Sequence, residues 1–202
     1  MGRQCPYCPT VLKGLQALEA AGEIGKLETV VIEDNPERAA ELGVRSVPWV
    51  RIGPYELSGL RSEQELREWA QKAGSETGMV NYLDELLSAG SLEKGQQLVR
   101  DDPNAIHALL DLLSSPDTQL NTRIGISAIM EALAGNEKLH EVIDQLGELT
   151  RHDEASIRGD ACHFLALSGD SRTVEFIKPL LEDTDANVRE IAQDSLQQLG
   201  NA

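Results

Sequence analysis

Two different patterns of hydrophobic and polar residues divide the chain. Helix-like and strand-like patterns alternate over residues 5–73, in the predicted order α-β-α-β-β-α, which is typical of an α/β domain. Asn35 and Pro36 predict the start of the second helix, and Ser62 with Glu65 predicts a capping box on the third. The predicted helices are "CPTVLKGLQALEAAG", "DNPERAAELG" and "SEQELREWAQKAG", and the predicted strands are "KLETVVIED", "VRSVPWVRI" and a short one in "GPYELSG".

The second half of the chain shows helical periodicity without strand-like segments. "GSETG" at 74–78 has the composition of a linker, so we predict two domains, at 1–74 and 79–202. The apolar faces that predict its helices are Tyr82, Leu83, Leu86 and Leu87; Ile106, Leu109, Leu110 and Leu113; and Leu139, Val142, Ile143, Leu146 and Leu149.

This half also contains an internal repeat. "HDEASIRGDACHFLALSG" aligns with "EDTDANVREIAQDSLQQLG", which places Arg158 over Arg189, and a weaker copy places Arg123 35 residues before Arg158. Each copy is an acidic turn followed by an apolar residue and an arginine near a helix start. A repeat period of 31 to 35 residues with two helices per unit predicts an α-solenoid, in which the arginines have a structural role.

The charge of the 202-residue chain is uneven. The net charge is −16; residues 1–74 hold 9 basic and 11 acidic side chains, so residues 75–202 carry a net −14. Such a surface repels nucleic acid and anionic membranes, and it favours either solubility alone or a basic protein partner. We find neither a run of about 20 apolar residues nor a signal peptide, so we expect a soluble cytoplasmic protein.

Cys5 and Cys8 form a C-x-x-C motif that predicts dithiol chemistry. A cysteine at a helix N-terminus is favoured as thiolate, which makes Cys5 the attacking nucleophile. Cys8 lies one turn along the predicted helix, where it resolves the mixed disulfide, and Pro6 suits the helix start. The alternatives are half of a zinc site or an inactive inherited fold. We interpret Cys162 as a buried thiol, with a third redox thiol as the alternative.

"CPYCP" together with "NPERAAELGVRSVPWV" resembles the thioredoxin superfamily, especially glutaredoxin-like protein disulfide oxidoreductases. The resemblance implies that Pro48 is cis and faces the dithiol, and that Val47 offers its backbone to an extended substrate. The D-x-n-V-R-x-x-A pattern similarly resembles HEAT repeats over about 103–200. The implied substrate-binding residues are Pro6, Tyr7, Val47, Pro48 and Trp49.

The sequence departs from the thioredoxin pattern at two places. The family has a central strand before the C-x-x-C motif, for which this sequence has no room. We expect that the sequence begins in the loop after that strand; the alternatives are that another chain completes the sheet or that the domain tolerates the loss. "LSGLRSEQE" keeps Gly59 but lacks the Cys-Asp part of the glutathione-binding turn, so no glutathione or other cofactor is expected.

We therefore predict a thioredoxin-like domain followed by a HEAT-like α-solenoid, acting as a thiol–disulfide oxidoreductase. The helical repeats would recruit a protein client, and no metal, nucleic acid or membrane is expected. A glutathione-transferase-like or glutathione-dependent glutaredoxin enzyme is the first alternative, since these share the plan of the chain. The second alternative is a non-catalytic adaptor whose affinity for its partner is gated by the redox state of Cys5 and Cys8.

Overall fold

The computed structural model of the chain describes residues 1–73, 75 and 77–200. Two compact units are present, Met1–Gly78 and Met79–Ala202. The linker predicted at 74–78 lies partly outside the described residues. None of the described helices combines the length and the hydrophobicity that a membrane span requires.

The described residues of the N-terminal unit form three helices and one antiparallel hairpin. The strands β1 and β2 pair with Trp49 opposite Ser58 and Ile52 opposite Tyr55, so the predicted short strand in "GPYELSG" is confirmed. The elements are α1 (Cys8–Ala20), α2 (Pro36–Glu41), β1 (Trp49–Ile52), β2 (Tyr55–Ser58) and α3 (Glu63–Lys72).

The helices α1 and α3 pack against each other at a glycine. A Cβ on Gly14 would lie 3.1 Å from Leu66 Cδ1 and 3.3 Å from Glu63 Cα, so a larger residue would push the helices apart. The predicted capping box is confirmed, because Ser62 and Glu65 exchange side-chain and backbone hydrogen bonds at the start of α3. The buried apolar residues of this unit are Cys8, Val11, Leu15, Leu18, Tyr55, Leu57, Leu66 and Trp69.

The strand predicted in "KLETVVIED" is wrong for this structure. Residues 26–31 belong to no strand, although they have strand-forming composition. Among the described residues, only Met1 bonds to this segment as a neighbouring strand would: its ammonium group donates to Val30 O at 2.6 Å and its carbonyl accepts from the Ile32 N–H at 2.9 Å. The other bonds of this backbone are to a following turn and to a side chain, since the Asp34 and Asn35 N–H groups donate to Val31 O and the Leu27 N–H donates to Glu19 Oε1. A strand requires a neighbouring strand for its hydrogen bonds, and one residue supplies only the first bonds of a ladder.

Two element boundaries in this unit also differ from the prediction. The first helix begins at Cys8, so Cys5 lies in the preceding turn rather than in the helix. Pro9 has no N–H for the Cys5 carbonyl, and Cys5 precedes Pro6, which disfavours helical geometry at Cys5. In "VRSVPWVRI" only Trp49–Ile52 is a strand, because Pro48 cannot donate to a ladder.

The second unit is helical throughout the described residues 79–200. The predicted helical faces are confirmed, since their apolar residues are buried except for Leu149, which is partly exposed. All but Tyr82 and Leu86 belong to or pack against one continuous core. The helices are α4 (Gly78–Ser88), α5 (Leu92–Asp101), α6 (Asn104–Ser114), α7 (Leu120–Ala132), α8 (Glu137–Glu141), α9 (Ile143–Leu149), α10 (Ala155–Leu167), α11 (Val174–Ile177) and α12 (Ala186–Gly200), with short 3-10 helices at Ser171–Thr173 and Lys178–Glu182.

The three repeat arginines bind backbone carbonyl groups of the turns that precede their helices. Arg158 bonds the carbonyls of residues 152 and 153, and its guanidinium also bonds both carboxylate oxygens of Asp183, at 2.8 and 2.7 Å. Arg189 bonds the carbonyls of residues 183 and 184. Arg123 bonds the Ser115 carbonyl and lies 3.4 Å from Asp160, on the next repeat helix rather than in its turn. Arg123 and Arg158 therefore connect their helices to the following helical element, whereas Arg189 holds the turn before its own helix.

Candidate redox site

Cys5 and Cys8 are joined by a disulfide bond, with their Cα atoms 5.5 Å apart. The two sulfur atoms have different environments. Cys8 is the first residue of α1 and its side chain is 2% exposed, whereas Cys5 lies in the turn before the helix and is partly exposed. An external thiol or disulfide therefore reaches Cys5 more easily than Cys8.

The N-terminus of α1 is directed at the Cys5 sulfur. The Cys8 N–H, one of the donors that a helix leaves unpaired in its first turn, donates to Cys5 Sγ at 3.1 Å. The same interaction, together with the positive end of the helix dipole, stabilises a thiolate on Cys5 when the disulfide is reduced. The Cys5 N–H in turn bonds the Gly2 carbonyl at 3.2 Å, which fixes the turn.

The loop at Val47 and Pro48 lies next to this turn. The Val47–Pro48 peptide bond is cis, as the family resemblance implied. Gly2 stands between the loop and the cysteines: a Cβ there would lie 3.0 Å from Val47 Cγ2 and 3.7 Å from Cys5 Cβ. Pro48 is buried and lines the same cavity as Cys8. The structure thus brings together the two motifs that the sequence placed about 40 residues apart.

The remaining candidate residues are Pro6, Tyr7 and Trp49. Pro6 and Tyr7 lie between the cysteines and are exposed, Tyr7 by 54%. Trp49 is the first residue of β1 and lines the cavity with Pro48, and its Nε1 is buried without an acceptor among the described residues. Their roles in substrate binding stay predictions.

An acidic pair beside the redox turn was not singled out in the sequence. The Arg3 N–H donates to Glu33 Oε1 at 2.9 Å, and the Arg3 guanidinium pairs with Asp34. Hydrogen bonds from the backbone N–H groups of Glu33 itself and of Arg3 hold the pKa of the Glu33 carboxyl below its ordinary value. The sequence signal was weak, because the two acids simply follow the apolar run 30–32.

Cys162 lies in the helical unit and is completely buried on α10. Burial raises the pKa of its thiol, against a smaller opposite effect of a hydrogen bond to Ser195 Oγ at 3.7 Å. A buried thiol with a raised pKa is a poor nucleophile, which favours the structural interpretation. Within the described part of the chain, no group of three or more His, Cys, Asp or Glu residues is arranged to hold a metal ion.

Comparison with known proteins identifies only the first unit. Residues 1–71 match the family model of the thioredoxin domain, a match that ends before the helical unit. Searches of curated proteins and of solved structures give no significant match. Three observations indicate the same fold: the family match, the disulfide at the start of α1 and the adjacent cis-proline loop. Residues 1–71 are therefore a thioredoxin-superfamily domain, and an all-helical unit follows it.

Proposed function

We propose that this protein is a thiol–disulfide oxidoreductase whose helical unit recruits a protein client. A thiol–disulfide redox function in general follows from the thioredoxin domain and its Cys5–Cys8 disulfide. The observation that carries the more specific proposal is the asymmetry of the pair. The partly exposed Cys5 receives a helix N–H on its sulfur, while Cys8 is shielded directly behind it.

The exchange proceeds in two displacement steps. In the reduced protein, the Cys5 thiolate attacks one sulfur of the client disulfide, and the other client sulfur leaves as a thiolate that takes up a proton. Deprotonated Cys8 then attacks Cys5 Sγ and releases the second client thiol. The client disulfide gains two electrons and two protons, and the Cys5–Cys8 disulfide forms. The reverse sequence oxidises a client dithiol.

The loop next to the dithiol is suited to hold an extended client segment. In the proposal, Val47 offers backbone hydrogen bonds and Pro48 contacts the segment, while Pro6, Tyr7 and Trp49 border it. Support comes from the position of Gly2, which leaves Val47 and Cys5 close to each other. No glutathione or other cofactor is part of the mechanism.

Client recruitment is assigned to the helical unit, which we interpret as HEAT-like repeats. Support comes from Arg123 and Arg158, which pair with Asp160 and Asp183 of the following helical elements, and from Arg189, which bonds the turn before its own helix as Arg158 does. A stacked helical array offers an extended binding surface, and the net charge of −14 over residues 75–202 favours a basic client, which we place in the cytoplasm. Tethering raises the local concentration of the client beside the dithiol.

The test is a redox titration of the 202-residue chain in glutathione buffers, with Cys162→Ser as the background. Thiol alkylation and mass measurement count the reduced cysteines. We expect a reversible two-electron transition at a potential roughly between −120 and −270 mV. The Cys8→Ser variant should accumulate a mixed disulfide on Cys5, whereas the Cys5→Ser variant should not form one.

Two results would contradict the proposal in different ways. The absence of a reversible transition would show that the pair does not exchange. A reversible transition without turnover of a generic disulfide substrate would instead favour the redox-gated adaptor. Recruitment is tested by replacing exposed acidic residues of the helical unit with neutral ones. If this unit recruits the client, the variant should lose turnover on a basic client protein and keep turnover on a small disulfide.

A further inference from the structure

A carboxylate lies near the cysteine at which the proposed exchange begins. The first carbon of a side chain at Gly2 would lie 3.5 Å from Glu33 Oε1 and 3.7 Å from Cys5 Cβ. Because both atoms are this close to one point, they are no more than about 7 Å apart, which is less than the Debye length of about 8 Å at physiological ionic strength. The charge of Glu33 therefore acts on a molecule at Cys5 before dissolved ions screen it fully.

The position of the Glu33 carboxylate is fixed by backbone groups. The Arg3 N–H donates to Glu33 Oε1 at 2.9 Å. Hydrogen bonds from the backbone N–H groups of Glu33 itself and of Arg3 hold the pKa of this carboxyl below its ordinary value, so the group is negatively charged at neutral pH. Glu33 is also exposed, and its charge is therefore open to a molecule that reacts at Cys5.

Among the described residues, no cationic side chain forms an ion pair with Glu33. The Arg3 guanidinium pairs with Asp34 instead. The Met1 ammonium group donates to Val30 O. The negative charge beside Cys5 is therefore left for a cation of the molecule that approaches this cysteine.

We infer that Glu33 is a specificity-determining residue of the redox site, which favours client disulfides that carry a lysine or arginine beside the attacked cysteine. This role rests on the proposed function, because it concerns the client that the dithiol receives. The bond changes are those of the exchange: the Cys5 thiolate forms the mixed disulfide, the other client sulfur leaves as a thiolate, and Glu33 neither gains nor loses a proton. A cation beside the attacked sulfur is attracted to Glu33 as the mixed disulfide forms, whereas an anion is repelled.

The experiment uses the full 202-residue chain with Cys8→Ser and Cys162→Ser, which leaves Cys5 as the reactive thiol. Two methanethiosulfonate reagents of similar size are compared, one ending in a trimethylammonium group and the other in a sulfonate. In both reactions the Cys5 thiolate attacks the sulfenyl sulfur, a disulfide forms and methanesulfinate leaves; mass measurement gives the rate. A change in the fraction of thiolate alters both rates equally, so the ratio of the two rates measures the charge beside Cys5.

We expect the cationic reagent to react faster, and Glu33→Gln to lower the ratio of the two rates about three- to tenfold. Glu33→Asp keeps the charge and should keep most of the ratio. Glu19→Gln is the matched control, because Glu19 also accepts a backbone N–H, from Leu27 at 2.7 Å, but lies near the other end of α1, about 16 Å from Cys8 along the helix. This control should leave the ratio unchanged.

Two disulfide-bonded peptides extend the test to client-like segments. They are identical except for lysine or glutamate on both sides of the cysteine. The pre-reduced chain with Cys5 and Cys8 intact should reduce the lysine peptide at least about threefold faster than the glutamate peptide, and Glu33→Gln should bring the two rates together. Raising NaCl to about 1 M, where the Debye length is about 3 Å, should have the same effect.

The outcomes separate this role of Glu33 from the proposed function. A ratio that Glu33→Gln leaves unchanged, or that Glu19→Gln lowers equally, would overturn the inference while the proposed function stands, as would equal rates for the two reagents before any change at Glu33. Failure of Cys5 to react with either reagent would contradict the proposed function, and the inference with it. The salt series on the chain that retains Glu33 keeps the test valid if Glu33→Gln fails to fold, because a ratio that salt does not lower would exclude selection by charge.

Discussion

The short distance between Cys5 and Val47 depends on Gly2, a residue without a side chain. Gly2 accepts the Cys5 N–H through its carbonyl and leaves room for Val47. A side chain at this position would separate the cis-proline loop from the dithiol. The proximity of Cys5 and Val47 is thus maintained by a glycine outside both motifs.

Changing Gly2→Val should slow disulfide exchange by up to about 100-fold, because small displacements of reacting groups have effects of that size. The added Cβ would lie 3.0 Å from Val47 Cγ2, so the loop must move. The rate of reduction of a generic disulfide by the pre-reduced protein measures the effect. Gly25→Val is the matched control, since a Cβ at Gly25 meets nothing within 4 Å. Exchange at the original rate would show that Val47 need not stay near Cys5.

Successive helical elements are connected by charged groups as well as by apolar packing. The Arg158 guanidinium on α10 bonds both oxygens of Asp183, which precedes α12, and the two side chains are 13% and 7% exposed. The hydrogen bonds from Arg158 hold the pKa of Asp183 below its ordinary value of 3.8. The paired state is therefore favoured in the folded protein wherever Asp183 is ionised.

The pH dependence of this contribution has a definite sign. Since the pKa is lowered on folding, the stabilisation is complete above about 3.8 and is lost as the pH falls through the folded-state pKa. Asp183→Asn should lower the free energy of unfolding at neutral pH by about 1–3 kcal/mol, because Arg158 loses a charged acceptor. Urea unfolding should show that the difference shrinks below pH 3.8.

Asp194→Asn provides the control for the charge change alone. Asp194 is an exposed residue on α12, so the same substitution there should change the unfolding free energy by no more than about 0.5 kcal/mol. A difference for Asp183→Asn that stays constant down to pH 3 would contradict the assignment of its stabilisation to the ionised pair.

At the scale of the whole molecule, the distribution of charge distinguishes the two parts of the sequence. Residues 1–74 carry a net −2 and residues 75–202 a net −14. Repulsion among so many like charges opposes a compact state, and salt screens it. The helical unit should therefore be the part of the molecule whose stability depends on ionic strength.

Thermal unfolding followed by the helical circular dichroism signal should shift to higher temperature as NaCl rises from about 10 mM to about 1 M. Over that range the Debye length falls from about 30 Å to about 3 Å, so the repulsion is progressively screened. A parallel series in KCl separates screening from the binding of one ion. An unchanged or lower melting temperature in both salts would mean that the acidic side chains are locally compensated.

The sequence alone determined the features that depend on residues close together in the chain. Three such features were predicted and found: the Cys5–Cys8 redox pair, the capping box of Ser62 and Glu65, and the buried faces of the long helices. Each is local, because helix capping and helical periodicity involve residues within about four positions of one another. The short strand at Tyr55–Ser58 could also be predicted from the sequence, because it pairs with β1, the strand directly before it in the chain.

Only the tertiary structure decided the features that require a partner from elsewhere in the chain. Residues 26–31 have strand-like composition, yet they are no strand, because within the described part of the chain only Met1 bonds to them as a neighbouring strand would. The contact of Gly2 with Val47 and the pairing of Arg3 with Glu33 likewise join residues 30 to 45 positions apart. Strand pairing and side-chain proximity are set by which segments become neighbours in space, and hydrophobic periodicity records only which face of a segment is buried.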